Sequence, residues 1–248
     1  MAAYAGFAPI YDRLMDDFDH PKWADYYLAL LARAGVEPKT LCDCACGTGS
    51  LTVPFARRGL RVTGVDISPE MLELAAEKAR TSGVHIDFVR QDMCELRLPR
   101  PVDALVCGCD GVNYLTSLDR VERFFRAAHA QIAPGGALAF DISTRYKLET
   151  EMGDAFFGEE RDDVAYLWEN TLDEKKHLVT MDITFFAREP SGLYRRIVER
   201  HVQRAHGIDE LRACLEKAGF SGIEVFGDQT LEPPGPEEAR AHFLARRR

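Results

Sequence analysis

The chain predicts an α/β fold, a doubly wound and mostly parallel sheet. Three observations carry this. An apolar approach through Leu41 runs into Asp43-Cys44-Ala45-Cys46-Gly47-Thr48-Gly49, after which Leu51, Val53 and Phe55 begin a helix. A second strand, Arg61 to Val65, ends in Asp66, seventeen positions after Gly49. Strand and helix patterns then keep alternating as far as Asp141, the rhythm of parallel strands joined by crossover helices.

The elements follow in order. Phe7, Ile10, Tyr11, Leu14 and Met15 recur at helical spacing, and Pro21 opens a second helix carrying Trp23, Tyr26, Tyr27, Leu30 and Leu31 to a stop near Gly35. Strand one covers Thr40 to Cys44. The helix after strand two starts in Ser68-Pro69-Glu70, with Ser as cap and Pro in the first turn, and carries Met71, Leu72 and Ala75. Strand three, His85 to Val89, leads into Arg90-Gln91-Asp92-Met93, and strand four, Val102 to Cys107, into Gly108-Cys109-Asp110-Gly111-Val112-Asn113-Tyr114-Leu115. A helix from Leu118 to Ile132 follows, and Pro134-Gly135-Gly136 turns the chain into strand five, Ala137 to Asp141.

Residues 142–206 break the rhythm. Val164 to Thr171, Leu178 to Ala187 and Leu193 to Gln203 read as three extended segments of an antiparallel sheet. The middle one alternates cleanly, with Val179, Met181, Ile183 and Phe185 on one face. The third carries charge on both faces, which fits either a lid over a polar pocket or a charged edge strand. A helix from Asp209 to Ala218, a strand from Gly222 to Phe226 and a last strand from Ala241 to Ala245 resume the earlier pattern. With no repeat and no long linker, residues 1–248 read as one domain: an N-terminal helical cap (1–35), a cofactor-binding core (36–141), an inserted β lid (142–206) and a completion of the sheet (207–248).

Composition bounds the function. At 248 residues, 46% hydrophobic and 29% charged, the chain supports one sizeable core. A net charge of −9 argues against broad nucleic-acid binding, and Arg246-Arg247-Arg248 is a short basic tail. No apolar run approaches the roughly 20 residues of a membrane helix, and the opening residues, without a basic segment followed by an apolar one, do not read as a secretion signal. Cys42, Cys44 and Cys46 alternate along strand one and read as small buried hydrophobes, with no spaced Cys/His pair to make a metal site. The expectation is a cytoplasmic protein with reduced thiols and no metal.

Gly47 and Gly49 let a ligand lie against main chain, and Asp66 at the end of strand two can hold a ribose diol. A dinucleotide site wants a third glycine where this chain has Thr52, and Asp43 suits the ammonium of an amino-acid moiety better than a phosphate. With its acid, Cys-Gly-Thr-Gly core and spacing, the segment resembles the first motif of class I S-adenosylmethionine-dependent methyltransferases. Tyr11-Asp12-Arg13-Leu14-Met15 followed by Trp23 resembles the opening of a bacterial small-molecule branch, similar to glycine and amino-sugar N-methyltransferases with inserts after strand five. The likeness runs from Tyr11 to Asp141. It implies a Rossmann-like, seven-stranded, doubly wound sheet whose last strand is antiparallel, with an inserted antiparallel β lid. It also implies S-adenosyl-L-methionine as cofactor and S-adenosyl-L-homocysteine as product. Asp92 and Met93 match the pair that holds the adenine, and Tyr11, alternatively a core aromatic, matches a cofactor contact. The expected cofactor-binding set is completed by Cys44, Ala45, Cys46, Thr48, Ile67, Met71, Gln91 and Cys109.

Methyl transfer from a sulfonium needs a positioned lone pair and exclusion of water, so no catalytic residue is assigned. Asp110, Asn113, Tyr114, Tyr146 and His201, with Trp168 and Arg196 from the lid, are the candidate substrate-facing groups. The segment after strand four lacks the Asn/Asp-Pro-Pro-Tyr of base and glutamine methylation, and the chain has no Pro-Cys nucleophile. These gaps and the acidic charge favour transfer to N or O of a small-molecule acceptor. An RNA or protein methyltransferase, a non-catalytic cofactor-binding module and, more remotely, a nicotinamide oxidoreductase are the rival readings. A monomer and a homodimer both fit.

Overall fold

The computed structural model describes residues 8–14 and 18–248, so the expected helix positions Phe7 and Met15 lie outside it. The first helices are α1 (Ala8–Leu14) and α2 (His20–Arg33). Asp19 caps α2 by accepting from the Lys22 N–H at 3.0 Å, and Pro21 sits in the first turn where no N–H is needed.

The large sheet is built from β1 (Thr40–Cys44), β2 (Arg61–Asp66), β3 (Asp87–Arg90), β4 (Val102–Cys107), β5 (Ile132–Ser143) and, from the far end of the chain, β10 (Ser221–Phe226) and β11 (Arg240–Arg246). Its order is β10-β11-β5-β4-β1-β2-β3. Every neighbouring pair is parallel except those made by β11, which runs antiparallel to both β5 and β10. Helices α3 (Thr52–Arg57), α4 (Pro69–Thr81), α5 (Leu118–Gln131) and α6 (Ile208–Lys217) connect the strands.

Alternation along β4 shows how the sheet is wound on both faces. Ala104 and Val106 pack with Tyr27 and Leu30 of α2 and Phe55 of α3, whereas Leu105 and Cys107 pack with Phe124 and Phe125 of α5 and Leu211 of α6. The strand order reverses between β1 and β4, so the crevice for a ligand lies beyond their carboxyl ends.

The second sheet holds β6 (Phe156–Glu160), β7 (Val164–Asp173), β8 (Leu178–Arg188) and β9 (Tyr194–Arg204), all antiparallel. Its inner face forms a cluster with Ile10 of α1, Val179, Met181, Ile183 and Phe185 of β8, and Ile197 of β9. On β9 the odd residues Ile197, Glu199, His201 and Gln203 are buried and Arg196, Val198 and Arg200 are exposed. The strand is thus both an edge strand and a wall of the interior.

Some expectations need correction. β6 and a π-helical turn at Tyr146–Met152 were not expected from the sequence; Phe156–Glu160 is short, interrupted by Gly158, and lacks alternation. Strand three starts at Asp87 rather than His85. Strand five begins before the Pro-Gly-Gly turn, at Ile132, with a register shift against β4 between Val102 and Ala104. That irregularity needs Gly136, where an added Cβ would stand 2.3 Å from the Asp103 carbonyl oxygen. Finally, β1 stops at Cys44, so Cys46 is buried but does not share the strand with Cys42 and Cys44.

Candidate active site

At the switch point the chain turns through left-handed backbone at Ala45, Gly47 and Gly49, with φ of 59°, 53° and 74°. A side chain at Gly49 would meet the Ala75 Cβ at 3.0 Å, so this glycine lets the loop pack on α4. Asp66, at the end of β2, accepts from the Gly47 N–H at 2.8 Å and the Ser68 N–H at 2.9 Å. Burial nevertheless raises its pKa. Asp43 is 1% exposed and accepts a 2.6 Å hydrogen bond from the Thr52 hydroxyl. Thr52 therefore uses the position of the missing third glycine to hold this acid, whose pKa burial pushes up to about 7.

Helix α1 lies over this loop. The Asp12 carboxylate accepts from Thr48 at 2.6 Å, Ser50 at 3.0 Å and the Lys78 ammonium at 2.6 Å. Burial opposes its ionisation, but these hydrogen bonds hold its pKa below the usual carboxylate value. Sequence reasoning missed the Asp12–Lys78 pair, because nothing local links positions 66 residues apart.

A cavity of about 590 Å³ opens beside the loop, a size suited to a small cofactor. Tyr11, Asp43, Ala45, Cys46, Gly47 and Thr48 line it on the loop side. Asp66, Ile67, Met71, Met93 and Cys109 complete the expected residues in its wall. His20, Ser50, Glu70 and Arg90 also reach it and carried no signal in the sequence.

Four expected cofactor residues do not line this cavity. Cys44 packs into the core against the α5 face, and Gly49 lies against Ala75. The Gln91 side chain closes onto the Arg97 backbone at 2.8 and 3.0 Å. Asp92 accepts from the Cys94 N–H at 2.9 Å and pairs with Arg120 at 3.0 Å.

A second cavity of about 320 Å³ lies between the large sheet and the inner face of the second one. Tyr11, Cys109 and Tyr114 line both cavities. Of the substrate-facing candidates, Asp110, Tyr114, Trp168 and His201 line the second cavity. Asn113 does not: it is fully buried and spends its amide on the carbonyls of Ser143 and Arg204, each at 2.9 Å. Tyr146 lines a separate hollow beside the start of α6, and Arg196 points outward from β9. Lys147, Gln203, Arg240, Tyr166 and Phe185 line the cavity without having been expected.

The floor of the second cavity is a charge network. Cys109 and Asp110 both adopt positive φ, at 54° and 52°, a strained pair held by its surroundings. Asp110 accepts from Gln203 at 2.7 Å and from Arg240 at 3.2 Å, and its N–H donates to Asp141 at 3.0 Å. Arg240 also pairs with Asp141, which accepts from the Tyr27 hydroxyl at 2.5 Å. Above this floor, the Tyr114 hydroxyl stands 3.4 Å from His201 Nδ1. Burial lowers the His201 pKa, so the imidazole is neutral at physiological pH.

Among the described residues, no three His, Cys, Asp or Glu side chains gather as a metal site. The glycine cradle, the acid at the end of β2 and the buried acid at the end of β1 together fit a nucleoside bearing an amino-acid tail. A neighbouring cavity with a neutral base fits a second reactant.

Comparison with known proteins agrees. A family model described as a methyltransferase domain matches residues 41–136. The chain is 34% identical over 245 residues to a protein of Geobacillus sp. (strain WCH70) provisionally named a methyltransferase, covering 98% of this chain and 99% of that one. It is 27% identical over 190 residues to the dTDP-4-amino-2,3,4,6-tetradeoxy-D-glucose N,N-dimethyltransferase of Saccharopolyspora spinosa, covering 74% and 72% of the two chains. The crystal structure of an S-adenosylmethionine-dependent methyltransferase from Clostridium acetobutylicum ATCC 824 matches with a TM-score of 0.89 at 31% identity over 98% of each chain.

Proposed function

The chain belongs to the S-adenosylmethionine-dependent methyltransferases, and from that premise we propose that it moves the methyl group to a nitrogen or oxygen of a small-molecule acceptor held in the second cavity. The observation that carries this reading is the shared wall: Tyr11, Cys109 and Tyr114 border both cavities, where a donor methyl and an acceptor lone pair would meet. S-Adenosylmethionine supplies a methyl already activated on a sulfonium. The residues do the rest.

Gly47 offers bare backbone, Asp66 holds the ribose, Asp43 answers the ammonium of the amino-acid tail, and Met93 packs on the adenine. Helix α1, tied down through Asp12, shuts the cofactor away from water, and Tyr11 on the same helix borders the transfer point. Neutral His201, beside Tyr114, accepts the proton that an amine or hydroxyl acceptor gives up. The β6–β9 sheet acts as a lid built into a single domain, its inner face supplying Trp168, His201 and Gln203. The relative from Saccharopolyspora spinosa, named for an amino sugar, supports a polar amine acceptor. The seven unbridged cysteines support work in a reducing compartment such as the cytoplasm.

One observation favours a second reading, an RNA or protein acceptor. Arg90, Arg97, Arg123 and Arg126 line a groove on this otherwise acidic protein. Asp92 and Glu95 lie in the same groove, and it shares no residue with the second cavity, which weighs against it. The test is transfer of labelled methyl from S-adenosylmethionine into a fractionated cell extract. Label in the small-molecule fraction is expected; label only in RNA or protein would reverse the acceptor assignment.

A further inference from the structure

Four charged side chains line the second cavity: Asp110, Glu159, Lys147 and Arg240. Three of them are spent within the protein. Arg240 pairs with Asp110 and Asp141, Gln203 donates to Asp110 at 2.7 Å, and Glu159 pairs with Arg161 and accepts from the Tyr166 hydroxyl at 3.1 Å. Lys147 is not spent. Among the described residues its ammonium has neither an ion pair nor a hydrogen bond. Asp228, a carboxylate that its charge stabilises from a distance, bonds instead to His242 at 3.2 Å. The backbone fixes where the charge is presented. Lys147 is the second residue of the π-helical turn Tyr146–Met152, a kind of turn frequent at functional sites. Its N–H donates to the Thr144 hydroxyl at 3.2 Å, and the next residue, Leu148, is fully buried in the cluster of α1 and the second sheet. The Lys147 side chain itself is half-buried.

The inner face of the second sheet supplies a different surface. The Tyr166 ring centroid stands 6.1 Å from that of Phe185 and 6.4 Å from that of Trp168, and all three rings line the cavity. The Trp168 ring N–H donates to Asn170 at 2.5 Å and the Tyr166 hydroxyl to Glu159, so their polar ends are occupied and what they offer is ring surface. At about 320 Å³ this cavity has about half the volume of the first, about 590 Å³, which suits one substituted ring rather than a nucleotide-linked one. We propose that the acceptor, on the reading of the second cavity given above, is a single-ring organic anion. Its amine or hydroxyl faces the transfer point, its ring packs on Tyr166, Trp168 and Phe185, and its carboxylate or phosphate pairs with Lys147. A net charge of −9 repels such a compound at long range, so a cation in the cavity wall has to supply the local attraction. Beside apolar rings that attraction is screened less than at open surface. In the transfer the acceptor lone pair bonds to the methyl carbon as the carbon–sulfur bond breaks, its electron pair stays on sulfur, and the acceptor proton goes to His201.

The test follows labelled methyl from S-adenosylmethionine into the dialysable compounds of a cell extract, which are then passed over a strong anion exchanger at about pH 11, where amines are largely neutral. Retained label is expected; retention lost after phosphatase treatment identifies a phosphate, and retention kept identifies a carboxylate. In dilute extract the labelling rate follows kcat/KM. Lys147→Met should lower that rate about tenfold and Lys147→Glu about 100-fold, with Lys147→Arg within a few-fold of the wild type. Calorimetry should give all three the wild-type affinity for S-adenosylhomocysteine. Dialysable label that passes the exchanger overturns the anion and leaves the small-molecule reading standing, whereas label in RNA or protein alone overturns both. A wild-type rate in Lys147→Glu overturns the pairing with Lys147. The exchanger step uses the wild type alone, so it decides even where a variant does not fold.

Discussion

The Asp12 carboxylate, in the first helix, accepts a hydrogen bond from the Lys78 ammonium of α4 at 2.6 Å, spanning the glycine loop between them. Thr48 and Ser50 of that loop bond to the same carboxylate, so helix, loop and α4 are fastened at one point. Asp12→Asn keeps the shape and removes the charge. It should speed release of S-adenosylhomocysteine about tenfold in stopped-flow measurements while the circular dichroism stays unchanged. Wild-type release would show that α1 does not close the cofactor site.

Asp66 is expected to carry much of the cofactor affinity. Asp66→Ala should weaken S-adenosylmethionine binding about 10- to 100-fold by calorimetry, the effect of losing hydrogen bonds to a charged group, with the fold retained. Unchanged affinity would remove Asp66 from the ribose.

Asp43 gives binding a pH dependence. Burial raises its pKa to about 7 in the protein without ligand, so below that pH the acid holds a proton. A cationic ammonium prefers the carboxylate, so binding must release the proton. Affinity should therefore rise about tenfold per pH unit on the acid side and level off above about pH 7. The same shift makes the ligand-free protein lose stability as pH climbs from about 4, where the unfolded chain gives up the proton, towards 7. Asp43→Asn should flatten both curves.

His201 should matter for turnover and not for cofactor binding. His201→Ala is expected to lower kcat about 100-fold or more with the S-adenosylmethionine dissociation constant unchanged. In the wild type the acid limb of the pH–rate profile should lie below pH 6.5, since burial lowers the His201 pKa, and His201→Asn should erase that limb. Once an acceptor is in hand, a wild-type profile in His201→Asn would exclude this base.

Arg240 holds two carboxylates, Asp110 and Asp141, at a largely buried position. Arg240→Met would leave both acids without their cation, and urea denaturation should show a loss of about 3–5 kcal/mol. Arg240→Met with Asp110→Asn should recover part of that loss.

The sheet was legible where local pattern and tertiary structure agree. Thr40–Cys44 ends where its apolar run meets the glycine turn, and Val179, Met181, Ile183 and Phe185 alternate because one face of β8 is buried. β6 was invisible because its pairing with β7, rather than its own residues, makes it a strand. The same limit applied to the site. Residues bound to the glycine turn, such as Gly47 and Asp66, could be placed by spacing. The direction of a side chain in a loop could not: Gln91 folds back onto Arg97 and Asp92 is taken by Arg120 from α5. Asn113 looked like a ligand group because its hydrogen bonds to Ser143 and Arg204 come from sequence-distant strands. The opposite faces of β9, ambiguous in sequence, were resolved by its register with β8, which sends His201 inward and Arg196 out.

The division of labour between the two sheets also sets the reach of a substitution. The loops at the ends of β1 to β4 line the first cavity, and the inner face of β7 to β9 forms much of the wall of the second. Under the proposed function, substitutions at Trp168 or Phe185 reshape the acceptor's wall without touching the first cavity. Among the described residues, Tyr11, Cys109 and Tyr114 border both cavities, so a change at any of these three alters the two walls at once.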